Sequence, residues 1–346
     1  MTGLPRRTTL ATVAASAGVS VTTVSKVLNG RHDVAPATRS LVQSLLEEQG
    51  YLPRLSGQGQ ARITATVEVW VDDLCAYSTE AIKGTVEAGA ESGVAVVVTY
   101  PKDTAGEGVS WARDLVAAGR RAVITVMSVP TPAQLAALSQ ARLPVVVIDP
   151  LNLPDTPVTS VGSTNFAGGL SATHHLLELG HRRIAYLGGP ATSTTNQARM
   201  HGYRAAMEAA GVPVPPEYVR TPGFGYPDGM REGAALLDLR AAPTAIFAAG
   251  DESAMGAIQA ARARGLRIPE DLSVVGFDDT EIATMTSPQL TTVRQPLRDM
   301  GAVALRTALR LAAGEEIEYR HIELATKLVI RGSTHVVSGT RAGRRR

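Results

Sequence analysis

The sequence predicts a small all-α unit followed by a larger α/β unit made of two doubly wound, parallel-sheet lobes. Three observations predict it. The stretch from Val13 to Gly30, VAASAGVSVTTVSKVLNG, reads as two short helices parted by a glycine turn. After residue 62, short β-branched runs alternate with alanine-rich amphipathic stretches. That alternation runs for about 270 residues, too many for one core, and proline-containing breaks near 150–159 and 287–295 divide it.

In the N-terminal unit, Thr9 is placed to cap a helix over Leu10–Ala17, its hydroxyl accepting from a free N–H of the first turn. Gly18 then suits the left-handed position that ends a helix, where a Cβ is disfavoured. Ser20 caps a second helix, Val21–Leu28. Ala14, Ala17, Val19, Val24 and Val27 are the small apolar residues that two closely crossing helices need. A third helix is expected over Ala37–Glu48, with Leu41, Leu45 and Leu46 turned inward. Helix, turn, helix is the arrangement whose second helix enters the major groove of DNA. Its outward side chains would be Val21, against a thymine methyl, Thr22, on a base edge, and Lys26, on guanine or phosphate. Ser20, Thr23, Ser25, Asn29 and Arg39 suit phosphates, which position rather than specify, and Thr9 at the head of the first helix is counted with them. A three-helix cap for protein contacts is the plainer alternative, but A-G-V-S-x-x-T-V-S-x-V-L-N-G is far more specific than a charged patch.

Beyond a linker at 53–62, PRLSGQGQAR, which has two glycines and no apolar run, the strands are expected at 66–71, 94–100, 122–126, 145–148, 183–187, 245–248 and 273–277. Near-continuous Val, Ile and Ala in these runs signals burial on both faces, as in parallel sheets. Helices are expected at 77–92, 108–118, 133–141, 165–179, 197–210, 228–239 and 251–264. Right-handed crossovers between strand and helix follow. The division expected is 1–52 for the helical unit and 63–335 for the core, with lobe 1 at 63–158 plus 291–320 and lobe 2 at 159–290 plus 321–335. A basic tail, 336–346, ends the chain. Two lobes joined by several crossings leave a cleft, and open α/β sheets bind ligands outside the carboxyl ends of their strands.

Composition narrows the function classes. Aromatic residues are only 4% of the chain, too few for an extended stacking platform. A single cysteine, Cys75, excludes an intramolecular disulfide framework and fits a reducing cytoplasm. MTGLPRRT leads straight into a helix pattern without an apolar run of signal-peptide type, and no run approaches a membrane span, so a soluble, cytoplasmic protein is expected. The net charge of +2 hides an asymmetry. Residues 1–62 carry +4 and residues 331–346 carry +5, whereas 63–330 carry −7. A basic head on an acidic body fits a head that meets a polyanion.

The chain resembles the lac repressor/gal repressor (LacI/GalR) family of bacterial regulators. The resemblance is carried by TLATVAASAGVSVTTVSKVLNG and VAPATRSLVQSLLEEQGYLP, then by ATHHLLELGHRRIAYLGGP, ARMHGYRAAMEAAGV, PTAIFAAGDESAMGA and RGLRIPEDLSVVGFDDTEIATMTSPQLTTVRQP, and covers about residues 8–335. It implies a lambda repressor-like headpiece, a periplasmic-binding-protein-like core, a homodimer on a near-palindromic DNA operator, and a small effector, a sugar or related molecule. The family's hinge helix is departed from: Gly57, Gln58 and Gln60 stand where Ala, Arg and Leu are usual, and Leu55 is the apolar residue left to enter the minor groove. Operator affinity is then expected to rest on the major groove and on Arg54 and Arg62 near phosphates.

The resemblance also implies the effector contacts. Asp149, Asn165, Arg199 and Asp278 match the family's ligand-contacting positions. Phe224 falls where an aromatic stacks on the sugar ring, and Asp251 follows Gly250, where many relatives carry an asparagine that touches the ligand. Such groups suit a sugar, whose hydroxyls both donate and accept. The absence of a side chain at Gly250 leans the expected ligand toward a di- or oligosaccharide. Arg199 as a surface ion-pair partner and Asp278 as a helix cap are the plainer structural readings.

No catalytic, metal or cofactor constellation is found in the sequence. His174, His175 and His181 lack partners at metal spacing, YLGGP is followed by no phosphate-loop Lys-Ser/Thr, and STTN makes no nucleophile elbow. The protein is therefore expected not to be an enzyme. The alternative is a sugar-binding or enzymatic α/β protein that binds no DNA.

Overall fold

The computed structural model describes residues 9–28, 31, 33–49, 65–100, 108–151 and 158–337. The chain separates into two compact units, residues 1–60 and 61–346.

The first unit holds α1 (Leu10–Ala17), α2 (Val21–Leu28) and α3 (Pro36–Glu48). Thr9 Oγ1 accepts the Thr12 N–H at 3.3 Å, and Ser20 Oγ accepts the Thr23 N–H at 3.0 Å, so both helix starts are capped as expected. Gly18 turns with φ 64°, which lets the Val19 N–H return to the Ala14 carbonyl at 3.1 Å. Val13, Ala14, Val24, Val27, Val42 and Leu46 close the small core. Leu41 is a correction: its side chain is 49% exposed, and Val42 occupies the inward position. One residue is about 100° of helix rotation, so the stripe that carries Val42, Leu45 and Leu46 turns Leu41 away.

The second unit begins β1 (Ala65–Val71), α4 (Ala76–Ser92), β2 (Val94–Thr99), α5 (Val109–Ala117), β3 (Arg120–Val126), α6 (Pro132–Gln140), β4 (Val145–Ile148) and β5 (Thr159–Ser163). It continues with α7 (Asn165–Glu178), β6 (Ile184–Leu187), α8 (Thr194–Ala209), β7 (Val219–Arg220), α9 (Tyr226–Leu237), β8 (Ala245–Ala248), α10 (Asp251–Arg262), β9 (Ser273–Asp278), α11 (Glu281–Met285) and β10 (Thr291–Arg294). The chain then returns through α12 (Leu297–Ala312), β11 (His321–Leu324) and β12 (Lys327–Val329). Two six-stranded sheets result, ordered β11-β5-β4-β3-β1-β2 and β12-β10-β9-β8-β6-β7. All pairings are parallel except β10 with β12.

The lobe boundaries differ from those expected. Residues 159–163 and 321–324 belong to the first sheet, and 291–294 to the second. The sequence cuts were set at prolines, but here the prolines precede β5 and β10, inner strands that still belong to the sheet the chain is about to leave. TSVGS and HIEL also lack the β-branched run that marks the central strands. The chain crosses between lobes at 163–165, 294–297 and 324–327.

Each sheet is covered on both faces. Val67, Val69, Ile124, Val126, Val146 and Ile148 meet Met300, Ala304, Leu305 and Ala308 in the first lobe. Tyr186, Tyr203, Phe247 and Phe277 fill one face of the second. The helices α4 and α12 cross at backbone contact: a Cβ on Gly301 would stand 2.1 Å from the Ala81 carbonyl oxygen, and one on Gly84 2.0 Å from that of Arg298. Among the described residues no single helix is long and apolar enough to cross a membrane.

Candidate functional site

The strand ends of the two lobes face each other across a cavity of about 250 Å³. From the first lobe come Asp73, Cys75 and Tyr77 after β1, Met127 after β3 and Asp149 after β4; from the second come Thr195, Arg199, Phe224, Gly250, Asp251, Glu252, Asp278 and Thr280. This is the carboxyl-end location expected of open α/β sheets. Asp149, Arg199, Phe224, Asp251 and Asp278 all line it, but Asn165 does not. Asn165 lines a neighbouring cavity of about 600 Å³ between β5, β11 and the starts of α7 and α8.

Arg199 is the only cation among the described residues lining the smaller cavity. It is buried on α8 and held at Nε and Nη1. Its Nε donates to Asn165 Oδ1 at 2.7 Å and its Nη1 to the Ala249 carbonyl at 2.6 Å. The guanidinium lies 3.9 Å from the Phe277 ring centroid and 5.7 Å from that of Phe224. Asp278 Oδ1 stands 3.7 Å from Arg199 Nη1. Asn165 thus serves to hold the arginine, with its own Nδ2 bonded to the Ser163 carbonyl at 3.1 Å.

The carboxylates have separate neighbourhoods. Asp149 accepts from the Tyr77 hydroxyl at 2.8 Å. Burial pushes its pKa up, and Arg199 and the Tyr77 hydrogen bond pull against that. Asp278 accepts from Gln295 Nε2 at 2.6 Å. Burial raises its pKa as well, opposed by Arg199 and Gln295. Asp251 is committed within its own lobe: it takes the Thr280 N–H at 2.8 Å, the Thr280 hydroxyl at 3.0 Å and the Thr292 hydroxyl at 2.6 Å. Its pKa is raised by burial first and by the charge of Asp278 second. The Asp251 carboxylate therefore acts as a strut between α10, β10 and the turn after β9. Asp279, the second acid of GFDD, is likewise held by Arg294 and Arg331, at 2.6 Å each.

Tyr77, Gln295 and Thr195 were not expected from the sequence. Tyr77 carried a usable signal, since it opens the helix that follows a predicted strand. Gln295 carried none, because it lies inside an apparent break and its role depends on two distant segments. Thr194, beside Thr195, ties the lobes together: its N–H and hydroxyl donate to the Leu151 and Pro150 carbonyls, each at 2.7 Å. His175 and His181 are spent on packing, His175 with Thr334, and His181 with Thr244, Ser273 and the His335 carbonyl, while His174 is exposed.

In the helical unit, Val21, Thr22 and Lys26 lie exposed on α2. Lys26 Nζ pairs with Asp33 at 2.7 Å, an exposed contact that salt screens. Ser20, Thr23 and Thr9 are occupied at helix starts, with the Ser20 and Thr23 hydroxyls 2.9 Å apart. Arg39 donates to the Arg31 carbonyl. Ser25 lies half-buried between the exposed and buried faces of α2. Asn29, Arg54, Leu55 and Arg62, with the linker at 53–62 and residues 338–346 of the tail, fall outside the described residues.

Comparison with known proteins agrees with these features. Residues 9–54 match the lacI family of bacterial regulatory proteins, and residues 173–334 match the periplasmic binding protein-like domain. The HTH-type transcriptional regulator DegA of Bacillus subtilis (strain 168) is 34% identical over 333 residues, covering 95% of this chain and 98% of its own. The regulator CelR of Thermobifida fusca is 34% identical over 341 residues, with 95% and 98% covered. A solved CelR–cellobiose complex superposes with a TM-score of 0.69 over 94% of this chain and 100% of the other. The lac repressor dimer bound to operator and the anti-inducer ONPF, 27% identical, gives 0.69 over 95% and 100%. With full-length relatives above 30% identity, a family headpiece and the matching two-lobed core, the chain belongs to the lacI family of bacterial regulatory proteins.

Proposed function

We propose that the protein is a sequence-specific, DNA-binding transcriptional repressor of sugar uptake or catabolism genes, acting as a cytoplasmic homodimer whose operator affinity is set by a small saccharide. Val21, Thr22 and Lys26 read bases from α2, while Thr9, Ser20, Thr23, Ser25, Asn29, Arg39 and Arg54 serve the phosphates and Leu55 the minor groove. Asp149, Arg199, Asp278 and Phe224 hold the effector, with Asn165 and Asp251 as their supports.

The cavity composition carries the saccharide reading. Its described lining has the carboxylates of Asp73, Asp149, Asp251, Glu252 and Asp278 against the single cation Arg199. An anionic ligand would meet uncompensated repulsion there. A neutral polyol instead supplies hydroxyl donors to the acids and lone pairs to the arginine fork. Phe224, at the cavity edge, offers an apolar face to a ring. Cellobiose, which CelR binds in its solved complex, is the first probe to use. The role proposed for the cavity is ligand binding without catalysis.

The test is selection of a preferred site from random-sequence duplexes by the full chain, followed by gel shift on that site with and without cellobiose. The expected product is a near-palindrome with half-sites about one helical turn apart. Retention of no preferred sequence would overturn the regulator reading.

A further inference from the structure

We propose that Gln295 is a positioning residue that ties the cavity carboxylate of Asp278 to the segments joining the two lobes, so that a hydroxylic ligand on Asp278 alters the bracing of those segments. The proposal rests on the reading of the core as an effector domain. Gln295 lies in the crossing from β10 to α12, is 3% exposed, and is absent from the cavity lining. Both ends of its amide are spent. Nε2 donates to Asp278 Oδ1 at 2.6 Å, and Oε1 accepts from the Ser163 hydroxyl at 2.5 Å. Ser163 is the last residue of β5, where the first crossing begins.

The contacts close into a ring. The Ser163 carbonyl accepts from Asn165 Nδ2 at 3.1 Å, Asn165 Oδ1 accepts from Arg199 Nε at 2.7 Å, and Arg199 Nη1 returns to within 3.7 Å of Asp278 Oδ1. Ser163, Gln295, Asp278, Arg199 and Asn165 thus link two lobe crossings to two cavity residues. The third crossing is stitched alongside, with the Thr326 N–H donating to Thr164 Oγ1 at 2.9 Å. Asp278 Oδ2 lies 3.5 Å from where a Cβ on Gly250 would stand, beside Phe224, so a ligand approaching over the bare Gly250 meets this carboxylate. Hydroxyls that draw the carboxylate toward the ligand leave the Gln295 N–H to follow or lose its acceptor, and buried amides do not stay unpaired. Ser163, bonded to the other end of the amide, then carries the change into the crossing.

The experiment uses the full chain on its selected duplex, with cellobiose as the probe, and compares wild type with Ser163→Ala, Gln295→Met and Gln295→Glu. Two quantities are read: the cellobiose Kd by calorimetry, and the ratio of operator Kd with and without saturating cellobiose. Ser163→Ala cuts the ring at the crossing and leaves Asp278 and Arg199 intact. Its cellobiose Kd and sugar-free operator Kd are expected within about threefold of wild type, while the coupling ratio falls at least fivefold. Gln295→Met is expected to lose coupling as well. Gln295→Glu is expected to be uncoupled at pH 8 and to regain coupling near pH 5.5, where its protonated carboxyl again donates to Asp278 and accepts from Ser163. The charged groups bearing on that site are Asp278 itself, Arg199, and, through Asp278, Asp149, Asp251 and Glu252; the wild-type ratio over the same pH range is the control. Unchanged coupling in Ser163→Ala and Gln295→Met, or a Gln295→Glu ratio that follows wild type with pH, would overturn the proposal alone. A wild-type operator Kd indifferent to cellobiose would overturn the disaccharide reading beneath it.

Discussion

Replacing Arg199 by methionine tests whether the cavity acids depend on one buried cation. The methionine stem keeps most of the packing against Phe277, so the loss is electrostatic. Three groups are stranded: Asn165 Oδ1, the Ala249 carbonyl, and the Asp278 carboxylate 3.7 Å away. Removing one partner of a buried pair costs about 3–5 kcal/mol, because the other charge stays buried without compensation. The cost depends on pH in a definite direction. Burial already raises the pKa values of Asp149 and Asp278, and Arg199 is the group that opposes the rise in both. Without it their folded-state values climb further. A carboxyl whose folded pKa lies above its unfolded value stabilises the fold below the unfolded pKa and loses that contribution as pH rises through the folded pKa. The deficit of Arg199→Met is therefore expected to be largest at pH 8 and to shrink on acidification, by up to about 1.4 kcal/mol per pH unit for each group that takes a proton. Urea unfolding followed by far-ultraviolet circular dichroism at pH 8.0, 7.0 and 5.5 measures this. A deficit under about 1 kcal/mol at pH 8, or one equal at all three pH values, would refute the account of Arg199 as the counter-ion of the cavity.

Four further outcomes are expected. Lys26→Ala should weaken operator binding and flatten the slope of log K against log salt by about 0.9 if Lys26 neutralises a phosphate, with cellobiose affinity unchanged; an unchanged slope assigns Lys26 elsewhere. Gly301→Ala should destabilise the core by about 1–3 kcal/mol in denaturant titration, because the new methyl meets the Ala81 carbonyl and the Thr85 N–H, both backbone. Tyr77→Phe removes the one hydroxyl bonded to Asp149 and should lower stability by about 1–3 kcal/mol with a matching loss of saccharide affinity by calorimetry. Gly250→Asn should fold normally, since φ there is −167°, yet occupy the space beside Phe224 and Asp278 and reduce cellobiose affinity at least tenfold.

Local rules carried the helical unit. Its first two helices, both caps and the glycine turn lie where side-chain chemistry within four residues puts them. The central strands β1, β3, β4, β8 and β9 were legible for a similar reason: burial on both faces demands unbroken Val, Ile and Ala, which few other settings tolerate. The strands β5, β7, β10, β11 and β12 were not. His321–Leu324 alternates exposed and half-buried residues, and Lys327–Val329 has three residues, so neither offers a pattern distinct from a loop. Their omission moved the lobe boundaries, because the crossings are defined by which sheet accepts these last strands. Leu41 shows the same limit in a helix: the apolar run Leu41-Val42 leaves the inward residue to be chosen by the neighbours α1 and α2.

The site shows why residue type identifies a cluster more readily than it assigns roles within one. Asp149, Asp251 and Asp278 are three aspartates next to strand ends, alike in sequence context, and all line one cavity. What separates them is the number of donors the fold has already given each. Asp251 receives three from Thr280 and Thr292, which hold its carboxylate inside its own lobe. Asp149 receives two, the Tyr77 hydroxyl and the backbone N–H of Ser163, and Asp278 receives the Gln295 amide. Each of the latter pair keeps acceptor capacity directed at the cavity, since an ionised carboxylate offers about four lone-pair sites. A ligand rich in hydroxyls can take up that capacity in both lobes at once, Asp149 from the first and Asp278 from the second. Simultaneous engagement is the physical requirement for a molecule that favours one placement of the lobes over another, because only differential contact shifts such an equilibrium. Asp149→Asn and Asp278→Asn should therefore each weaken cellobiose binding, whereas Asp251→Asn should act through stability first.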